Sequence, residues 1–223
     1  MLGKLRFEYD NKLNSLKSKV IDLGKKVNSV FSDTVGIVQN INFSLAEDVM
    51  SMNVDIDGDE RDIENECMKI ISLQRPFAFD LRLITGYMKL ISDLGRVADH
   101  CADICEIILT KNISSGCACQ NEVVDILKEV FKMFGDVLKA CTALNISEAK
   151  RIYQFDDIID KSFSEIIFII SSSISKNVVS VRAGTDLMFI AKYAERMGDR
   201  CVNICQWIIY MKEGFFPSES YFE

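Results

Sequence analysis

The sequence predicts an all-α fold: two pseudo-symmetric antiparallel three-helix bundles built from six long helices. Three observations carry this expectation. The stretch Leu94 to Ile108 recurs, at an offset of 100 residues, as Ala194 to Ile208. Arg96, Asp99, Cys101, Ile104, Cys105 and Ile108 return as Arg196, Asp199, Cys201, Ile204, Cys205 and Ile208, and upstream Arg82, Thr85 and Met88 return as Arg182, Thr185 and Met188. Self-similarity at a fixed offset means one structural unit used twice. The only two prolines are Pro76 and Pro217, so residues 77–216 are free of the main helix breaker. Finally, apolar residues keep a spacing of three or four along most of the chain, the signature of amphipathic helices. The run Ile166 to Ile170 could pass for a strand, but its flanks continue the helical spacing.

The first helix is expected over residues 3–43. Leu5, Leu13, Leu16, Val20, Leu23, Val27, Val30, Phe31, Val35 and Val38 form its inner stripe. Asn40-Ile41-Asn42 breaks the pattern, and Ser44 is the expected cap of a second helix running to Leu73. Pro76 stops that helix, with Gln74-Arg75 as the turn. The third helix spans 77–111. Asn112 to Cys119 is the seam between repeats. A fourth helix covers 120–144, with Val124, Leu127, Val130, Phe131, Phe134, Val137 and Leu138 inward. The fifth begins at Ser147, a candidate cap, and ends between Ser173 and Asn177. The sixth runs from Val178 to Lys212 and ends at Gly214. Helices of this length joined by short turns pack as antiparallel bundles. The domains are therefore 1–112 and 120–213, with 214–223 as a short C-terminal tail.

With 223 residues, 48% of them hydrophobic, the chain can bury a sizeable core. Its net charge of −7 disfavours nucleic acid and anionic membrane surfaces as partners and permits cations and basic protein surfaces. No apolar run approaches the length that spans a membrane, and the N-terminus has no apolar signal core; a cytoplasmic location is expected. The eight cysteines include no Cys-x-x-Cys, and only one histidine could complete a zinc site. Cys101, Cys105, Cys201 and Cys205 fall on apolar helical faces, where a free thiol acts as a small hydrophobe. Cys117 and Cys119, in the seam, are the thiols most open to redox chemistry.

At 100° per residue, Leu94, Val97, Cys101, Ile104, Cys105 and Ile108 share one face, and Asp99 and Asp103 lie opposite with Arg96 beside them. The second copy places Met197, Cys201, Ile204, Cys205 and Ile208 inward and Glu195, Asp199 and Asn203 outward. One face holds the fold; the other presents carboxylates to solvent or to a cation. Arg96 and Arg196 are expected to pair with neighbouring carboxylates. His100 sits about 100° from Asp99, which argues against a shared ligand role. Trp207 stands in the place of Ile107 and is expected to pack, or to mark an interface if exposed.

Several segments resemble the PhoU family. Gln74-Arg75-Pro76-Phe77-Ala78-Phe79-Asp80-Leu81-Arg82 is similar to its proline turn and Asp-Leu-Arg signature. Asp93-Leu94-Gly95-Arg96-Val97-Ala98-Asp99-His100 and Ala194-Glu195-Arg196-Met197-Gly198-Asp199 are similar to its twice-used Leu-Glu-Arg-Ile-Gly-Asp-His segment. Leu5 to Asp10 and Asp156 to Asp160 also fit, so the likeness covers nearly the whole chain. It implies a PhoU-like pair of three-helix bundles without an enzymatic reaction. It also implies a cytoplasmic accessory regulator of phosphate uptake that dampens phosphate-starvation signalling. The partners implied are the ATP-binding subunit of the high-affinity phosphate transporter and a sensor histidine kinase. A homodimer is expected.

The resemblance further implies metal ions on the bundle surface, held by paired Glu/Asp-x-x-x-Asp motifs. Carboxylates at i and i+4 do share a helix face, and a multivalent cation relieves their repulsion. Oxygen ligands favour magnesium, manganese, iron or calcium over thiolate-seeking metals. The cofactor expected is a divalent or trivalent ion: iron, manganese, magnesium or zinc. In the second repeat both motifs are complete, with Asp156, Asp160, Glu195 and Asp199 as ligands. In the first repeat Asn53 precedes Asp57 and Gly95 precedes Asp99, so two leading carboxylates are lost. Asp57, Asp99 and Asp103 form the weaker expected set, with Asp55 and Asp59 as further compensating acids. Three other readings remain. A ferritin-type di-iron enzyme needs Glu-x-x-His facing the bundle interior, which is absent here. The others are a PhoU-like accessory of a different phosphate or anion carrier, and a metal-free helical scaffold. No nucleophile–base constellation is visible.

Overall fold

The structure, a computed structural model, describes residues 2–74, 76–218 and 221–222, with the side chains of 2–7, 73 and 74 outside that description. Arg75, expected in the turn, the Leu5 side chain, expected on the inner face, and positions 219, 220 and 223 of the tail thus lie outside the described residues. Six helices make up the fold: α1 (Leu2–Asn40), α2 (Phe43–Gln74), α3 (Ala78–Leu109), α4 (Gln120–Ala143), α5 (Ile146–Ser175) and α6 (Val181–Glu213). No strand occurs among the described residues. Ile166 and Ile170 are buried turns of α5, as their flanking periodicity predicts.

Within each repeat all three helices touch one another. The repeats meet through α3 on α6 and α1 on α4. The outer helices α2 and α5 pack only within their own repeat. Helix α3 runs antiparallel to α6. Cys101 meets Met197 near the middle of the contact, while Thr110 bonds Asp186 at one end. Towards the other end Gly86 lies under Met211, so closely that a Cβ on Gly86 would overlap Met211 Cγ. At the α1–α4 contact Phe31 faces Phe131 edge-on at 5.4 Å and Phe134 at 6.0 Å.

The repeat reaches further than the 100-residue register. Buried Val49, Ile56 and Ile63 of α2 match buried Ile152, Ile159 and Ile166 of α5 at an offset of 103. Phe31 and Phe134 follow the same offset. The second repeat therefore has three residues fewer between equivalent points of its second and third helices. The turns obey it too. Ile41 (φ 50°) and Leu144 (φ 48°) are both left-handed, and each is followed by an asparagine that starts the next helix. Asn42 accepts from the Leu45 N–H at 3.1 Å, and Asn145 from the Glu148 N–H at 3.2 Å. These asparagines are the caps, in place of Ser44 and Ser147. Ser180, not Val178, opens α6 by accepting from the Ala183 N–H at 3.1 Å. A short polar side chain just before the first turn satisfies an orphan N–H, and asparagine does so as well as serine.

The tail folds back. Phe222 stacks on Tyr153 of α5 at 3.5 Å, and its carbonyl accepts from the Gln154 side chain at 2.8 Å. Cys101, Cys105, Cys201 and Cys205 are fully buried, while Cys117 and Cys119 are partly exposed. Burial pushes the Cys105 thiol up to about 12 and the other three well above the ordinary thiol range. Alkylation of the native protein near pH 8 should therefore modify Cys117 and Cys119 within minutes and the four repeat cysteines only on unfolding. Mass mapping checks this, and rapid labelling at Cys101 or Cys201 in the folded state would contradict the packing.

Candidate functional site

The sequence places acidic residues on facing turns of the outer and third helix of each repeat. In the second repeat Asp156 and Asp160 project from α5, one turn apart. Glu195 and Asp199 project from α6. Asp156 lies against Gly198: a Cβ there would sit 3.2 Å from Asp156 Oδ1, so the glycine lets the carboxylate approach the α6 backbone. Burial, then Asp160, Asp199 and Glu195, push the Asp156 carboxyl up to about 7. Burial, then Glu195 and Asp160, also raise Asp199. The four expected residues are thus brought together as electrostatic neighbours. Lys192, absent from the expected set, answers part of this charge. Its Nζ donates to Glu195 Oε2 at 2.6 Å and lies 5.2 Å from the centre of the Phe163 ring.

The first repeat meets the same requirement with different residues. Asn53 stands in the place of Asp156 and donates to Asp99 Oδ1 at 3.2 Å, while its own Oδ1 is buried without a hydrogen-bond partner. Arg96 reaches Asp99 Oδ2 at 3.4 Å, as its position predicts. Gly95 leaves a space on α3, and the carboxylate of Glu60 from α2 fills it; a Cβ on Gly95 would overlap Glu60 Oε2. Burial, then Asp57 and Asp99, raise the Glu60 carboxyl, with Arg96 acting in the opposite sense. Asp57 and Asp99 are therefore joined by Glu60, a residue the motif reading missed. The signal was present: Glu60 follows Asp57 by three residues, on the same helical face. Phe163 occupies the equivalent place in the second repeat.

The other expected compensators point elsewhere. Asp59 pairs with Lys26 of α1, and Asp55 contributes to the field at the same lysine. Asp103 contacts His100 Nδ1 at 3.3 Å and hydrogen-bonds Tyr193, so it belongs to the seam between α3 and α6. His100 packs on Tyr193 at 5.3 Å, and burial lowers its pKa, favouring the neutral ring. Arg196, expected to pair with a carboxylate, lies 5.9 Å over the Tyr193 ring. At the other end of the seam Arg200 and Asn203 donate to Asp93 Oδ1 at 3.3 and 3.5 Å, and Trp207 adds a third bond to that carboxylate. Trp207 also packs on Phe216 at 4.9 Å and Tyr210 at 5.8 Å, which makes it a packing residue.

Chemically, the two acidic faces offer oxygen acceptors and negative charge. As the side chains stand, no three His, Cys, Asp or Glu groups among the described residues close on a common point to hold a metal ion. Each face is a set of neighbouring carboxylates with a basic partner, Lys192 or Arg96, rather than a shaped coordination shell. Crowding raises Asp156 and Asp199 in the second repeat and Glu60 in the first, where the amide oxygen of Asn53 has no hydrogen-bond partner.

A family model described as the PhoU domain matches residues 20–108 and 123–208, one match per repeat. The chain is 28% identical over 207 residues to the phosphate-specific transport system accessory protein PhoU of Escherichia coli (strain K12), covering 93% of this chain and 86% of that one. It is also 28% identical to the PhoU homolog of Clostridium acetobutylicum, over 92% of this chain and 94% of that one. Among solved structures, the phosphate transport system regulatory protein PhoU from Streptococcus pneumoniae superposes with a TM-score of 0.87 at 26% identity, covering 94% of this chain and 99% of that one.

The raised Asp156 carboxyl has a consequence for stability. Its folded-state pKa, about 7, lies above its unfolded value near 4, so the native state holds the proton more tightly. The stability this provides is complete below about pH 4 and is lost as pH rises towards 7. Partial exposure screens the effect, leaving about 1 kcal/mol. Asp156→Asn should therefore raise the unfolding temperature at pH 8 in metal-free buffer and flatten the pH dependence between 4 and 7. Thermal unfolding across that range measures both.

Proposed function

The chain belongs to the PhoU family, and from that premise we propose that it serves as a cytoplasmic accessory regulator of phosphate uptake and phosphate-starvation signalling. The observation that carries this reading is the match over both repeats to relatives named as phosphate-specific transport accessory proteins. The regulator acts as a brake, linking the high-affinity phosphate transporter to a sensor histidine kinase. Its partners are the transporter's ATP-binding subunit and that kinase, and it works as a homodimer. No helix among the described residues is long and apolar enough to cross a membrane, in keeping with a role exerted through protein contacts. Exposed Phe77, Phe79 and Leu81 at the start of α3, and Phe168, Val181 and Phe189 on α5 and α6, supply apolar surface for such contacts. The reading assigns no catalytic step. Its only histidine is occupied with Asp103 and Tyr193.

The acidic faces extend the proposal. Asp156, Asp160, Glu195 and Asp199 would hold a divalent or trivalent metal ion in the second repeat, and Asp57 and Asp99 would contribute to a site in the first. Such an ion would neutralise like charge and tie the outer helix to the third helix of its repeat. Glu195 must leave Lys192 to take part. Iron, manganese, magnesium and zinc all suit oxygen donors to different degrees.

Deleting the gene should derepress phosphate-starvation genes in phosphate-replete medium. Transcript and uptake measurements check this. Unchanged expression and uptake would remove the phosphate role, and altered transport of another anion would assign the accessory function to a different carrier. Retention of no metal after purification, together with no thermal shift on adding Mn2+, would leave a metal-free helical scaffold.

A further inference from the structure

We infer that Cys117 and Cys119 form a reversible disulfide site in the seam between the repeats, closed by a hydroperoxide and opened by a dithiol reductant. It is independent of the metal reading and of the phosphate role. Five of the eight cysteines are buried in the core, and burial pushes the Cys141 thiol up to about 12. Cys117 and Cys119 differ from these. Both are partly exposed, and they share one turn.

The geometry of that turn brings the pair together. The Gln120 N–H donates to the Cys117 carbonyl at 3.2 Å and closes a β-turn over 117–120. Cys119, its third residue, is left-handed at φ 68° and ψ 3°, as a type II turn requires. Two residues apart around so tight a bend, the Cα atoms fall within the roughly 4.4–6.8 Å that a disulfide spans. Burial, then Cys119, raise the Cys117 thiol, so the two sulfurs lie within electrostatic reach of each other.

The backbone on either side is held while the thiols react. Gln120 Nε2 donates to the Val38 and Gln39 carbonyls of α1 at 2.6 and 3.2 Å, and its Oε1 accepts from the Gly116 N–H at 2.9 Å. The side chain of Cys119 has a partner in the other repeat: its S–H donates to Ser173 Oγ of α5 at 3.3 Å. In the disulfide that hydrogen is gone and the sulfur has turned towards Cys117. Oxidation therefore cuts a link between the seam and the C-terminal end of α5.

The chemistry balances with a hydroperoxide as oxidant. One sulfur, as thiolate, attacks the peroxide; an S–O bond forms, the O–O bond breaks, and the alcohol or water leaves with a proton. The second thiolate attacks the sulfenic sulfur; the S–S bond forms, the S–O bond breaks, and water leaves with the other proton. Two electrons pass from the thiol pair to the peroxide. A dithiol reductant reverses this by exchange and becomes a disulfide itself. In a reducing compartment such bonds are transient and serve redox sensing.

The test treats the reduced full-length protein with stoichiometric hydrogen peroxide, alkylates the remaining thiols and maps the digest by mass. Trypsin places both thiols on one peptide, residues 112–128, which holds no other cysteine. That peptide should appear unalkylated and two hydrogens lighter, the free thiols should fall by two from eight, and dithiothreitol should restore both. Cys117→Ser or Cys119→Ser should abolish the change. Ser173→Ala should speed closure about threefold, the effect of one weak hydrogen bond. If the peptide stays reduced, if its sulfurs pass to sulfinic acid or cross-link two chains instead, or if Cys141 pairs with either of them, the inference fails. An unchanged rate in Ser173→Ala would overturn the link to α5.

Discussion

Everything in this molecule depends on the antiparallel contact of α3 with α6. Each of these helices is the shared wall of its own bundle and of the interface between bundles. That double duty explains their composition. Fully buried Cys101 meets Met197 across the contact, and Gly86 lets Met211 lie directly on its backbone. A large side chain at Gly86 would force strain of about 1–3 kcal/mol into a packed core. The polar groups at the seam are confined to its flanks, where Asp93 meets Arg200 and Asp103 meets His100. A buried carboxylate such as Asp93 is tolerable only because its three donors replace water.

Because α3 and α6 commit their inner faces to that contact, their outer faces are left to α2 and α5. There the two repeats meet one requirement differently. Each gathers carboxylates where two helices converge, and each pays with raised proton affinity: at Asp156 and Asp199 in one repeat, at Glu60 in the other. A glycine admits the crowded carboxylate in both cases, Gly198 for Asp156 and Gly95 for Glu60. Four carboxylates crowd the face of the second repeat and three, Asp57, Glu60 and Asp99, that of the first, where Asn53 stands in the place of Asp156.

The architecture was legible because helical periodicity and a fixed offset are properties of the chain that packing then obeys. Helix ends were less so. Ser44 and Ser147 are reasonable caps on residue type alone, but the left-handed residues Ile41 and Leu144 end the preceding helices one step earlier and hand the role to Asn42 and Asn145. The 103-residue register of the first two helices was hidden because α1 and α4, and α2 and α5, share burial more than identity. Of the site, the second-repeat carboxylates came together as their spacing implied. Glu60 was missed because motif reading compares equivalent positions, and this carboxylate reaches its place from a non-equivalent helix. Asp103 looked like a substitute on its helical face, yet a face holds no record of the neighbour it meets, here His100 and Tyr193.

The central proposal is that the acidic face between α5 and α6, formed by Asp156, Asp160, Glu195 and Asp199, binds a metal ion. Anomalous diffraction from crystals of the full-length protein grown with Mn2+ tests it most directly. The account predicts a peak bounded by Asp156, Asp160, Glu195 and Asp199. Crystals that show no peak at this face would contradict the account.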